Sequence, residues 1–118
     1  MKAFALLMLV SFSAMADCYT EARMVMSNLE ADQICSEARP GFDRCFPLAT
    51  MTMSSLSAVS FCAKAESGIA DCHDFASVSL GYRKALELCQ TAPRFVRRCL
   101  DNRPFGTSTE DAVIFCTR

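Results

Sequence analysis

The chain has 118 residues, which is enough for one domain or a short array of repeats and too few for two ordinary domains. Its 12 Lys and Arg against 13 Asp and Glu give a net charge of -1, which excludes the basic footprint that nucleic-acid binding requires. Hydrophobic residues make up 52% of the chain, too many for a disordered protein.

Residues 1–16 have the pattern of a signal peptide. Lys2 precedes an apolar run over residues 3–12, and Ala14 and Ala16 place small side chains at the two positions that signal peptidase reads. The run is about half of the roughly 20 apolar residues that a membrane-spanning helix needs. We therefore expect cleavage near Ala16 and an exported chain of residues 17–118, periplasmic or extracellular and without a transmembrane segment.

Cysteines divide the rest of the chain at a fixed spacing. They are Cys18, Cys35, Cys45, Cys62, Cys72, Cys89, Cys99 and Cys116, and their separations alternate between 17 and 10 residues, which gives a repeat of 27. Such a period is typical of tandem supersecondary units. An even number of cysteines in a small exported chain indicates a disulfide framework. We predict one cysteine-rich domain of four units, at about residues 18–44, 45–71, 72–98 and 99–118.

Other residues keep the same register. Small or apolar residues recur in the columns Ala31/Ala58/Ala85/Ala112, Met24/Met51/Val78/Phe105, Ile34/Phe61/Leu88/Phe115 and Phe42/Ile69/Val96. Apolar spacings of three, four and seven residues within a unit predict two short helices, and we expect these columns to form their core.

Turn and cap residues separate the two helices of each unit. Ser27, Ser54, Gly81 and Ser108 form a column at the centre of the units. Ser27 with Glu30 fits a capping box, and Asp43 and Asp71 are expected to cap the helices that follow. Pro104 and Gly106 predict that the last unit's first helix ends early. The predicted fold class is therefore all-α: four tandem αα-hairpins of 27 residues in a short solenoid or array.

Two schemes would pair the cysteines. Pairs 17 residues apart flank each central turn symmetrically; they are Cys18–Cys35, Cys45–Cys62, Cys72–Cys89 and Cys99–Cys116. Pairs ten residues apart are locally feasible, but they leave Cys18 and Cys116 at opposite ends of the array. A disulfide needs about 4.4–6.8 Å between Cα atoms. Sequence alone does not fix the connectivity, and we favour the first scheme because it leaves no thiol over.

This layout resembles disulfide-stapled αα-hairpin repeat proteins, and it is similar in architecture to tetratricopeptide-type solenoids. The resemblance covers Cys18 to Cys116. The period of 27 is shorter than the usual 34 or so, and the tetratricopeptide Trp-Leu-Gly-Tyr pattern is absent. The resemblance implies a binding or scaffolding role.

Few residues offer chemistry. His73 is the single histidine; its neighbour Cys72 belongs to the cysteine framework, so we interpret His73 as a half-buried packing residue and expect no enzyme activity. Zinc is disfavoured because no two cysteines are closer than ten residues. Two methionine triplets, Met24-Val25-Met26 and Met51-Thr52-Met53, have the soft thioethers that Cu(I) prefers. Methionine also fills core gaps, and we favour that interpretation and expect no cofactor.

Charge is distributed unevenly along the chain. Residues 17–43 hold six acids and two bases, a net -4, whereas residues 82–103 hold six bases and two acids, a net +4. A solvated surface would explain this pattern. A sharper hypothesis is a basic end for an acidic partner or a second copy of the chain. The candidate contact residues are Arg94, Arg97, Arg98, Arg103 and Phe105.

These observations predict an exported, non-catalytic interaction or scaffold module. Two alternatives stay open: a Cu(I) carrier that uses Met24, Met26, Met51 and Met53, and a secreted inhibitor or effector.

Overall fold

The computed structural model describes residues 15–118, and throughout that range its regular structure is helical. The helices are α1 (described residues 15–22), α2 (Asn28–Cys35), α3 (Phe42–Ala49), α4 (Ser55–Cys62), α5 (Ile69–Leu80), α6 (Tyr82–Cys89), α7 (Val96–Asp101) and α8 (Thr109–Cys116). Successive helices pair into four hairpins, numbered 1 to 4 below. The prediction of an all-α, disulfide-stapled repeat array is confirmed.

Two further predictions concern a signal peptide and the lack of a transmembrane segment. Of the predicted signal peptide, residues 1–14 lie outside the described residues. No helix within residues 15–118 is long and apolar enough to cross a bilayer. The hairpins begin slightly earlier than the predicted units, because α3, α5 and α7 start three residues before Cys45, Cys72 and Cys99.

One disulfide closes each hairpin at the end away from its central turn. The bonds are Cys18–Cys35, Cys45–Cys62, Cys72–Cys89 and Cys99–Cys116, with Cα–Cα distances of 5.4–5.7 Å. The structure thus contains the bonds of the first pairing scheme. Most of the helices have eight residues or fewer, which is too short for stability in isolation, so the cross-links and packing must hold them.

Serine caps start the second helix of three hairpins. Ser27, Ser54 and Ser108 each accept a hydrogen bond at Oγ from the backbone N–H three residues on, at 3.2–3.3 Å. Ser27 also donates its hydroxyl to the carboxylate of Glu30 at 3.1 Å, so the predicted pairing of these two residues is confirmed. In hairpin 3, Gly81 adopts φ +82° and joins α5 to α6 with a single residue.

The first helices of hairpins 2 and 3 start in a different way from the prediction. Their N-caps are Gly41 and Gly68, which form no side-chain cap, so the expected capping by Asp43 and Asp71 is wrong. Both aspartates lie in the first helical turn, where a negative charge interacts favourably with the helix dipole. The first helix of hairpin 4 ends early as predicted, because α7 ends at Asp101, before Pro104.

The loops between hairpins form a ladder of backbone hydrogen bonds. The bonds run from Arg39 N to Ala63 O (2.8 Å), Gly41 N to Ala65 O (2.9 Å), Glu66 N to Gln90 O (2.8 Å) and Gly68 N to Ala92 O (3.0 Å). A Cβ atom on Gly41 or Gly68 would overlap the backbone of the next loop, so only glycine fits. The ladder therefore holds the hairpins side by side in the same orientation.

The ladder ends at the loop between hairpins 3 and 4. Pro93 stands there where Arg39 and Glu66 stand in the earlier loops, and proline has no N–H to donate. Phe95 replaces the ladder glycine, and its side chain would collide with another loop stacked in the same way. The backbone ladder of the earlier loops therefore does not continue from this loop in the same geometry.

Burial follows most of the predicted columns. The alanines of the column that starts at Ala31 are buried, as are Phe42, Ile69 and Val96. One column is wrong: Met24, Met51, Val78 and Phe105 are exposed rather than packed in the core. Met24, Met51 and Phe105 lie beyond the end of the first helix of their hairpins, where the helical spacing that predicted their burial stops, whereas Val78 lies inside α5 on its solvent-facing side.

Candidate functional site

Hairpin 4 leaves uncovered the face that each earlier hairpin turns towards its successor. Hairpin 3 packs on hairpin 4 through Phe75, whose ring centroid is 4.7 Å from an arginine guanidinium, and through Lys84, whose Nζ is 3.2 Å from Glu110. One repeat later, the equivalents of Phe75 and Lys84 are Asn102 and Asp111. Both line an open, mostly apolar pocket of about 620 Å³.

The aromatic wall of this pocket is Phe115, which lies beside the Cys99–Cys116 disulfide. Phe115 is 72% exposed, whereas its equivalents in hairpins 1 to 3 are half-buried; they are Ile34, Phe61 and Leu88. Within residues 15–118, nothing covers Phe115 in the way that its equivalents are covered. An apolar surface left open in this way is a candidate binding surface.

Phe95 places a second exposed ring beside basic side chains. It is 63% exposed, and the guanidinium carbons of Arg94 and Arg98 each lie 5.5 Å from its centroid, within the range of cation–π interaction. Arg98 also lines the pocket. Arginine and aromatic residues are the types enriched where protein interfaces are most tightly packed.

The other predicted contact residues have different surroundings. Arg97 pairs with Asp101 one turn along α7, at 3.7 Å between Nε and Oδ1. Arg103 lies over the Phe75 ring and donates from its guanidinium to the carbonyl oxygen of Leu100 at 2.7 Å, and it also lines the pocket with Arg98. Phe105 is fully exposed at the turn of hairpin 4 and is not part of the pocket wall. The structure therefore separates Phe105 from Arg94 and Arg98.

Phe95 and Phe115 were not among the contact residues predicted from the sequence. A signal for Phe95 was present, because it replaces a glycine that recurs at Gly41 and Gly68. Phe115 belongs to an ordinary apolar column, so its residue type gave no signal of its exposure.

Each methionine triplet is divided between solvent and core. Met24 and Met51 are exposed, whereas Met26 and Met53 are partly buried against the core. The core interpretation is therefore right for the second methionine of each triplet and wrong for the first. Copper binding by these residues stays a prediction.

His73 and the cysteines, which were considered for catalysis and zinc binding, are held by packing and by disulfides. His73 is buried and stacks on Tyr82, with 5.5 Å between ring centroids. All eight cysteines are in disulfides. Among residues 15–118, no group of three or more His, Cys, Asp and Glu side chains is placed to hold a metal ion.

One group with a shifted pKa, the Tyr19 phenol, lies in hairpin 1. Desolvation raises the pKa of the Tyr19 phenol, and the charge and hydrogen bonding of Asp32 raise it further. Arg23 opposes the shift; its guanidinium carbon is 5.5 Å from the Tyr19 ring centroid. This phenol belongs to the first hairpin and contributes nothing to the open face of the fourth.

Comparisons with protein-family models, with curated proteins and with solved structures find no match to this chain.

Proposed function

We propose that the protein is an exported, non-catalytic interaction module that binds an acidic protein partner through the open face of hairpin 4. We call this surface the terminal face and define it as Arg94, Phe95, Arg98 and Phe115 with the adjoining pocket. The observation that carries the proposal is an exposed aromatic ring between two arginines, next to an apolar pocket. Four disulfides in so small a chain support an oxidising, extracytoplasmic location.

The chemistry of the terminal face defines the partner's contact residues. A guanidinium binds a carboxylate through two parallel hydrogen bonds, so Arg94 and Arg98 favour Asp or Glu on the partner. Asp111, which lines the pocket, repels a carboxylate placed inside it. We therefore expect an acidic residue over the arginines and a neighbouring bulky apolar residue in the pocket.

The rest of the array supports a role in presenting the terminal face rigidly to a partner rather than in catalysis. The Cys99–Cys116 disulfide and the contacts of hairpin 4 with Phe75 and Lys84 of hairpin 3 give hairpin 4 a fixed geometry, which lowers the entropy lost on binding. The buried His73 lies behind Tyr82, and no cysteine is a thiol. The two alternatives, a Cu(I) carrier and a secreted inhibitor or effector, gain no specific support from the described residues and stay predictions.

Selection from a phage-displayed library of random peptides tests the proposal. We expect enriched peptides to carry Asp or Glu within two or three residues of Leu, Phe or Trp. A double variant, R94E/R98E, should weaken binding of a selected peptide about 30-fold, the loss typical of an interface hot spot. Phe95→Ser should weaken it less.

Met24→Ser is the matched control, because it removes an exposed apolar side chain far along the array, in hairpin 1. Binding to wild type should weaken as salt is raised. Equal binding by wild type and R94E/R98E, or no consensus among the selected peptides, would overturn the proposal.

A further inference from the structure

Seven of the nine large hydrophobic side chains that are exposed in the described chain lie near the turns within hairpins. Four are repeat equivalents, one from each hairpin: Met24, Met51, Val78 and Phe105. The others are Leu29, Leu56 and Tyr82, at or next to the start of the second helix of hairpins 1, 2 and 3. We call these seven residues the tip edge.

The four turns face the same side of the array. The loop ladder at the cysteine ends holds hairpins 1 to 3 in one orientation, so their turns point the same way. Between hairpins 3 and 4, Thr109 Oγ1 donates to Ser79 Oγ at 3.3 Å, and Lys84 pairs with Glu110. These contacts bring the last two turns side by side. The tip edge is therefore a row and not a scatter of unrelated side chains.

The tip edge protrudes. Val78 is 88% exposed and Phe105 is fully exposed, so neither rests in a depression of its own hairpin. The side chains stand on separate turns, with hydroxyl residues such as Ser27 and Ser54 between them. A protein partner would need a matching row of pockets, whereas a lipid surface conforms to separate protrusions.

Bases slightly outnumber acids near the tip edge. Within two residues of its members along the chain there are four bases, Arg23, Arg83, Lys84 and Arg103, and one acid, Glu30, and two more acids, Glu87 and Glu110, lie 3.5 Å and 3.2 Å from Arg83 and Lys84. The whole chain, by contrast, carries a net charge of -1. The surface partners of Arg83 and Lys84 are Glu87 and Glu110, in exposed pairs that bind weakly.

We propose that the tip edge seats the protein on an anionic lipid surface. The apolar side chains would enter the interface between headgroups and acyl chains, and the flanking bases would contact the anionic headgroups. Apolar burial and attraction to anionic lipid are the two contributions that hold interfacial segments on membranes. This inference concerns a different surface from the terminal face, so either proposal can fail without the other.

Vesicle sedimentation tests the inference. We expect the protein residues 17–118 to sediment with vesicles of equal phosphatidylglycerol and phosphatidylcholine, more weakly with phosphatidylcholine alone, and less as salt is raised. The variant M24S/M51S/V78S/F105S should lose about 100-fold or more in partitioning, because each side chain contributes roughly a three- to tenfold factor. All four positions are exposed, so circular dichroism should show the fold unchanged.

The matched control is F95S/F115S, which removes the two exposed large hydrophobic side chains outside the tip edge. It should sediment like wild type. Because the chain contains no Trp, single substitutions also give a depth probe. Trp emission should shift to the blue on anionic vesicles for Phe105→Trp and stay unchanged for Phe95→Trp.

Three results would overturn the inference. Wild type could fail to bind anionic vesicles, or the tip-edge and control variants could bind equally, or the emission shift could occur at position 95 instead of 105. A concentration-dependent dimer in analytical ultracentrifugation, abolished by the tip-edge variant and without vesicle binding, would identify the edge as a self-association surface instead.

Discussion

The two ends of each hairpin are held in different ways. At the cysteine end, a disulfide joins the helices, the cysteines are mostly buried, and the first three loops bond to one another through backbone groups. At the tip end, a serine hydroxyl or a glycine turn is the main local constraint, and large apolar side chains face solvent. The cysteine end is therefore held by covalent bonds, packing and hydrogen bonds, whereas the tip end is exposed to solvent.

This contrast changes the meaning of the repeat. At the cysteine end, residue types recur because packing requires them: small alanines in the core and glycines where two backbones touch. At the tip end, Met24, Met51, Val78 and Phe105 recur as apolar residues without being buried. Core packing does not explain that recurrence, and the proposed lipid contact of the tip edge would explain it.

The largest effect should come from reducing the disulfides. Each bond closes a 17-residue interval, which is expected to stabilise the fold by roughly 3 kcal/mol, and short helices cannot compensate for the loss. Dithiothreitol should therefore abolish most of the helical circular dichroism and the cooperative melting transition. Reoxidation should restore both. Retention of the helical signal and of the melting temperature in fully reduced protein would contradict the dominance of the cysteine end.

Substitution of a ladder glycine should have the next largest effect. Gly68→Ala places a Cβ atom into the backbone of the next loop, and the forced displacement should cost about 3 kcal/mol in the free energy of unfolding. That corresponds to a fall of roughly 12 °C or more in melting temperature.

The control for this prediction lies at the tip end. Gly106 has open space around its Cα and differs from an ordinary residue only in its φ of +88°, so Gly106→Ala should cost about 1 kcal/mol. Thermal melts of both oxidised variants make the comparison. Equal losses would show that the loop ladder does not constrain the array more than the turns do.

The sequence predicted the fold correctly at positions where the residue type has only one structural role. The spacing of the cysteines, the small side chains in the core and the Ser27 cap are of that kind, and the structure agrees with each. The caps expected from Asp43 and Asp71 were wrong because a second constraint was hidden: contact with the next loop requires glycine just before them.

The candidate site was predicted less completely. Charge counting found Arg94, Arg98 and Arg103, and the structure places Arg98 and Arg103 in the pocket wall, with Arg103 also over Phe75. Phe115 belongs to an apolar column whose other members are half-buried, so periodicity predicted burial rather than exposure for it. Met24, Met51 and Phe105 were assigned to the core because apolar periodicity does not show where a helix ends, and Val78 because it does not show which side of a helix faces solvent.

The smallest expected effect is a change in the pKa of Tyr19, near the cysteine end of hairpin 1. Tyr19 follows Cys18, and desolvation is the main cause of its raised pKa, with Asp32 second. Because the folded state holds the phenolic proton more tightly, its contribution to stability is complete below the unfolded pKa of about 10 and is lost as pH rises through the folded value. Asp32→Asn should lower the pKa of Tyr19 without returning it to the ordinary value, since desolvation remains.

Ultraviolet absorbance can follow this ionisation in a Tyr82→Phe background, where Tyr19 is the remaining one of two tyrosines. The same variant with Asp32→Asn supplies the comparison, and Asp43→Asn, which removes a carboxylate from hairpin 2, supplies the control. If the pKa of Tyr19 is unchanged in Asp32→Asn, the Asp32 carboxylate does not contribute to the shift. A value that returned fully to that of a free tyrosine would instead show that desolvation does not contribute to the raised pKa.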